Sequence, residues 1–174
     1  MTPAATMGSP KTDPLEVVPH VDLQRYLGRW YEIATIPQRF QKGCVAVTAD
    51  YSLLKNGDIR VTNTCRQETL DGKIRRVRGK ARIVDKTTNA KLKVTFFWPF
   101  WGAYWIIALD PDYQWAVVGH PDRTYLWILS RTPHMDPALY EALLTVVTAK
   151  GYDPSDLVKT LQPLEETTTA KGEA

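Results

Sequence analysis

"VAVTADYSLLKNGDIRVTNTC", Val45 to Cys65, is the stretch on which the fold turns. Val47, Ala49, Tyr51 and Leu53 are apolar, and Thr48, Asp50 and Ser52 between them are polar. Side chains of an extended chain point alternately to opposite faces, so this period of two marks a strand buried on one face only. Asn56-Gly57 supplies the positive φ values of a tight hairpin turn. Beyond it Ile59, Val61, Asn63 and Cys65 share one face, opposite Arg60, Thr62 and Thr64. Asn63 is the one polar residue on the apolar side.

The same code continues downstream. Val77, Gly79, Ala81 and Ile83 oppose Arg76, Arg78, Lys80 and Arg82, and Leu92, Val94 and Phe96 oppose Lys91, Lys93 and Thr95. Next comes "FFWPFWGAYW", Phe96 to Trp105, with seven aromatic residues in ten positions around a proline and a glycine. It is too short to span a bilayer. The segments "YWIIALD", "WAVVGH" and "YLWILS" are apolar at nearly every position, which requires cover on their outer faces as well. "MDPALYEALLTVVTAKGY" provides that cover as a helix, with Asp136 as N-cap, Pro137 in the first turn, Gly151 as stop, and Leu139, Leu143, Val146 and Val147 at helical spacing.

With a strand from Trp30 to Ile36 the count reaches eight, joined by short links without crossover helices. The expected fold is all-β: an eight-stranded antiparallel up-and-down barrel, with a helical turn closing one end and a C-terminal α-helix packed outside. Eight strands is the number at which closure leaves room for one small ligand. A flexible segment over 1–20, one domain over 21–162 and a flexible tail over 163–174 complete the expected organisation.

Bulk properties exclude several classes. Among 174 residues, 44% are hydrophobic and 24% charged, which is ordinary for a globular domain. A net charge of +3 is far below what a nucleic-acid-binding face requires, so no nucleic-acid partner is expected. His20, His120 and His134 are scattered over unrelated segments, so no metal site, cofactor or catalytic residue is expected. "MTPAATMGSPKTDP" holds no apolar leader core and no lipid-attachment cysteine. Either the chain is cytoplasmic or a leader has been removed from it.

In a meander every second connection lies at the same end. One end then holds Gly28 to Trp30, the Asn56-Gly57 turn, the Asp110 to Tyr113 turn and Arg131; the other holds the connection from Pro37 to Cys44, that from Cys65 to Lys73, the aromatic bend and the Pro121 to Thr124 turn. Cys44 and Cys65 share the second end on neighbouring strands, which permits a disulfide. Counting back from the hairpin turn sets Cys65 beside Thr48 instead, so two free thiols stay open as the alternative.

The quoted residues resemble the lipocalins. "YLGRWYEIA" is similar to their Gly-x-Trp motif with Gly28 and Trp30; "ALDPDYQWAVV" is similar to their second motif, with Asp110 and Tyr113; and "YLWILSR" resembles the third, ending in Arg131. The resemblance runs from about Asp22 to Gly151 and is nearest to bacterial lipocalins, relatives of apolipoprotein D and the plant temperature-induced lipocalins. Pro111 is a departure, since many relatives run straight from the aspartate to the tyrosine. The resemblance implies that Trp30 closes the barrel floor, that Arg131 packs across its indole, and that the chain works in the periplasm or at the outer membrane of a bacterium, its leader removed, the cytoplasm being the alternative. "DLQRYLG", capped by Asp22, is expected to plug that floor, leaving the aromatic bend at the open mouth.

The expected ligand-lining set is Ala49, Val61, Asn63, Val77, Ala81, Leu92, Val94 and Phe96, joined by Tyr104, Trp115, Val117, Tyr125 and Trp127, with Trp98 and Phe100 at the mouth. Small residues such as Ala49, Gly79, Ala81, Ala108 and Gly119 favour a hollow interior over a filled one. Asn63 and Arg75 are the candidates for a ligand head group. The expected partner is a small hydrophobic ligand, a fatty acid or lysophospholipid, bound without turnover. The basic run from Lys73 to Arg82 could touch an anionic membrane surface. Two other classes stay open: an isomerase using Cys65 as a lumenal thiol, and a module that forms a homodimer through its apolar outer surface.

Overall fold

The computed structural model describes residues 13–164. Strands β1 (Gly28–Thr35), β2 (Cys44–Leu53), β3 (Ile59–Gln67), β4 (Ile74–Ile83), β5 (Lys91–Phe97), β6 (Phe100–Leu109), β7 (Trp115–Gly119) and β8 (Leu126–Ser130) pair antiparallel in chain order. β8 pairs with β1 and β1 with β2, so the sheet closes. Closure removes the two free edges that an open meander would expose. Helix α1 (Leu23–Tyr26) sits at the floor, its first amides accepted by the Asp22 carboxylate at 3.0 Å and 3.4 Å. Helix α2 (Pro137–Ala149) is capped by Asp136, whose carboxylate accepts the amides of Ala138 and Leu139.

Two apolar clusters lie on either side of the barrel wall. The inner one gathers Trp30, Tyr51, Val61, Ala81, Leu92, Ile106, Val118 and Leu129. The outer one gathers Ile33, Ile107, Val117 and Ile128 against Tyr140, Leu143 and Val147 of α2. Burying Leu143 or Val147 contributes roughly 1.5–3 kcal/mol each, far more than helix propensity over the same turn. The apolar outer faces of β7 and β8, on which two copies would pair, are thus covered by α2.

Three features depart from the sequence-based expectation. A ninth strand, β9 (Val158–Lys159), pairs with β1 through Ala34 and Thr35. β1 and β2 pair only from Gly28 to Tyr31 and then separate, and the C-terminal segment fills the seam. There the amide of Thr160 donates to Ile33 O at 2.9 Å and that of Ala46 to Leu161 O at 2.7 Å. The buried Gln162 Nε2 donates to both Glu32 O and Val47 O, at 2.8 Å each, so one side chain joins the two strands. Second, residues 13–20 do not form a free segment: Leu15 is buried in the outer cluster and the Val18 amide donates to Ile106 O. The rest of the expected flexible N-terminus and most of the expected tail lie outside the described residues. Third, β2 carries a bulge between Val45 and Thr48, with Ala46 at φ 51°.

Candidate functional site

The floor is built around Trp30, which is fully buried. Its indole Nε1 donates to Tyr26 O at 2.8 Å, tying α1 to β1. Arg131 lies across the ring, its guanidinium carbon 3.8 Å from the centroid. The same guanidinium donates to the carbonyls of Tyr113, Leu27, Arg29 and Arg25 at 3.1, 3.0, 2.9 and 2.6 Å. Gly28 sits beneath it at φ +96°, where a Cβ would stand 3.5 Å from Nη1 and where L side chains are strained. In the turn that carries Pro111, the Tyr113 amide donates to Asp110 O, the Asp110 carboxylate accepts the Gln114 amide, and the Tyr113 hydroxyl accepts the Asp22 amide at 2.7 Å. All five motif residues converge on this sealed end.

Above the floor lies a cavity of about 500 Å³, within the usual range for small-molecule sites. It opens at the opposite end, beside the aromatic bend. Of the expected lining residues, the structure brings Ala49, Val61, Asn63, Arg75, Val77, Ala81, Leu92, Val94, Phe96, Phe100, Tyr104, Tyr125 and Trp127 to its wall. Arg75 is at the rim with its side chain exposed. Gly79 faces the ring of Phe96, whose Cδ1 lies only 2.6 Å from where a Cβ would stand, so the missing side chain there is filled by a neighbour.

Three expected lining residues are not on the wall, which corrects the reading above. Trp115 and Val117 pack in the outer cluster toward α2, while Ala116 and Val118 take the inner side. In a strand apolar on both faces, alternation carries no phase, and the β6–β7 register also shifts between Ile106 and Ala108. Trp98 stands at the tip of the two-residue turn between Phe97 and Phe100 and is 81% exposed.

Cys44 and Cys65 are disulfide-bonded, with Cα atoms 5.5 Å apart, and both border the cavity. The bulge at Ala46 slips the register by one residue, which sets Cys44 opposite Gln67 and places Cys65 diagonally beside it on the same face. No thiol is left for isomerase chemistry among the described residues.

Sequence reasoning placed Tyr104 on the wall but missed the two polar groupings there. Tyr26, Tyr51 and Tyr104 form a hydroxyl chain over the floor, Tyr104 lying 2.7 Å from Tyr26 and 2.9 Å from Tyr51. Burial pushes the phenols of Tyr26 and Tyr104 well above the usual range and that of Tyr51 up to about 12, so all three are neutral at pH 7. Inward parity in β2 could have signalled Tyr51. The second group is Glu32, two residues from Trp30 and therefore on its face, with Gln38 and Gln41 beside the cavity. Burial raises the Glu32 carboxyl, against the lowering influence of hydrogen bonds from Thr160 and Gln41.

Among solved structures, insecticyanin from the tobacco hornworm matches with a TM-score of 0.68 at 21% identity, covering 87% of this chain and 85% of that one. Lobster apocrustacyanin C2 matches with a TM-score of 0.66 at 19% identity, over 82% and 80%. These likenesses concern the fold alone. Sequence similarity goes further: the chain is 45% identical over 147 residues to the outer membrane lipoprotein Blc of Escherichia coli K12, covering 84% of this chain and 82% of the relative. It is 44% identical over 157 residues to temperature-induced lipocalin-1 of Arabidopsis thaliana, covering 85% and 83%, and 36% identical over 151 residues to mouse apolipoprotein D, covering 81% and 77%. Residues 21–162 match the family described as the lipocalin-like domain, and with a sealed tryptophan floor beneath an open apolar cup, the chain belongs to the lipocalins.

Proposed function

We propose that this lipocalin binds a fatty acid or lysophospholipid in its barrel and carries or stores it without chemical turnover. The observation that carries this reading is the 500 Å³ cup itself, closed below by Trp30 and lined mainly by Ala, Val, Leu, Phe and Tyr. An acyl chain gains roughly 0.8 kcal/mol per buried CH₂, so on the order of ten methylenes supply the ~8 kcal/mol of a micromolar complex before association and ordering costs. The phenols of Tyr26, Tyr51 and Tyr104 remain protonated, so nothing at the floor repels an apolar tail.

The rim supports a second part of the proposal, that the cup loads at an anionic membrane surface of a bacterial envelope. Phe97, Trp98 and Phe100 are 72%, 81% and 77% exposed, and Lys73, Arg75 and Arg76 are exposed on the strand and connection nearby. Exposed aromatic rings beside basic side chains suit the headgroup region, where Trp is favoured and each Lys or Arg near anionic lipid contributes about 1 kcal/mol. The outer-membrane name of the Blc relatives supports the same address.

Titration with a fluorescent fatty acid tests the pocket. Ala49→Trp fills the cup from an inward position and is expected to weaken binding more than tenfold while the far-ultraviolet spectrum stays unchanged. Equal binding by both proteins overturns the reading. Native mass spectrometry of protein from its own host identifies the co-purifying lipid.

A further inference from the structure

Glu32, Gln38 and Gln41 form the polar side of an otherwise apolar wall. Glu32 is 5% exposed and Gln38 9%, and all three border the cavity. The Glu32 carboxyl accepts from the Thr160 hydroxyl at 2.6 Å and from Gln41 Nε2 at 3.1 Å, and no Lys or Arg pairs with it among the described residues. The Gln38 amide is buried with neither its nitrogen nor its oxygen partnered, and Gln41 Oε1 is also buried and unpartnered. A buried amide without partners costs about 1–3 kcal/mol, so a molecule that answers these groups recovers that cost.

The donor count decides what that molecule is. The cluster on the cavity wall offers oxygens on Glu32, Gln38 and Gln41 against the NH₂ of Gln38 and the one Gln41 N–H that Glu32 does not take. A ligand carboxylate only accepts, so it answers those N–H groups and sets its charge against the Glu32 carboxyl and the amide oxygens. An ammonium only donates and leaves those N–H groups unanswered. A hydroxyl does both.

We propose that Glu32, Gln38 and Gln41 are a head-group subsite that selects acyl ligands whose head group carries a free hydroxyl, of which a monoacylglycerol is the simplest, over acyl ligands without one. The inference rests on the reading of the cup as an acyl-chain site and assigns its selectivity. The tail then runs down toward Tyr104 and Trp30, and a carboxylate head, excluded from this wall, turns instead to Arg75 at the rim.

The test is displacement of a fluorescent fatty acid at pH 7.5 by 1-monooleoylglycerol, oleate and methyl oleate, which share one chain. The wild type is expected to bind 1-monooleoylglycerol at least tenfold more tightly than methyl oleate. Gln38→Leu, which keeps the volume and removes the amide, is expected to erase that tenfold preference and change oleate and methyl oleate by less than twofold. Equal affinities of the wild type for 1-monooleoylglycerol and methyl oleate overturn the subsite, and this comparison needs no variant. Gln38→Leu weakening all three ligands alike also overturns it, because the amide then acts on the wall as a whole. If Ala49→Trp leaves probe binding intact, the cup reading fails and the subsite with it; if Ala49→Trp abolishes binding but the three ligands bind alike, the subsite alone fails.

Discussion

The Arg131 guanidinium lies 3.8 Å above the indole of Trp30 and donates to four backbone carbonyls from three separate segments. It therefore clamps α1, the start of β1 and the Tyr113 turn onto one ring. A planar fork with five donors can do this, and an ammonium cannot. A half-buried cation–π contact contributes about 1 kcal/mol and charge-assisted hydrogen bonds add to it. Arg131→Ala is expected to lower stability by about 3 kcal/mol in urea denaturation, and Arg131→Lys to recover less than half of that loss. Full recovery by lysine would show that charge alone is what matters.

The Cys44–Cys65 bridge closes a loop of 21 residues. Such a loop gives about 3 kcal/mol in the chain-entropy account. The Cys44→Ser, Cys65→Ser double variant is expected to be less stable by that amount and to retain the barrel. Thiol titration of the wild type, unfolded without reductant, is expected to find no reactive sulfhydryl.

Glu32 sets a pH dependence. Burial raises its native pKa above the ordinary value of 4.5. Its stabilising contribution is thus fully present below about pH 4.5 and is lost as the pH rises through the raised native value. Glu32→Gln mimics the protonated side chain. The melting temperature of the variant minus that of the wild type is expected to be near zero at pH 4 and positive at pH 7.5. Asp58 works in the opposite direction, because hydrogen bonds from Arg82 hold its carboxyl low. Subtracting wild type from variant at each pH cancels that background. A difference that does not change between the two pH values would contradict the buried placement of Glu32.

Tyr104→Phe removes the middle hydroxyl of the floor chain and leaves those of Tyr26 and Tyr51 buried without it. The expected cost is about 2 kcal/mol, because two desolvated hydroxyls lose their partner. The Tyr51 phenol, already held up to about 12, is expected to rise further, since its bond to Tyr104 lowers it. Spectrophotometric titration of the phenols reads this directly.

Legibility in the sequence followed the chemistry of each strand. β2 to β5 have one wet face, so their polar residues set the phase, and Ala49, Val61, Val77, Leu92 and Val94 could be placed inward by parity. β7 has none, because α2 covers its outside, and so parity alone sets Trp115 and Val117 on the wrong side. Bulges are equally silent: the one at Ala46 turned a register that argued against the disulfide into one that allows it. Glu32 was readable as a polar residue sharing the face of Trp30. Gln38 and Gln41 were not, since they lie on a connection where no periodicity applies. The two-residue strand at Val158–Lys159 is too short to leave a pattern at all.

The seam between β1 and β2 has a consequence for biosynthesis. Gln162 bridges Glu32 O and Val47 O, yet it is made after every strand of the barrel. Synthesis runs from the N-terminus, so a chain stopped short of residue 162 lacks the rivet across that seam.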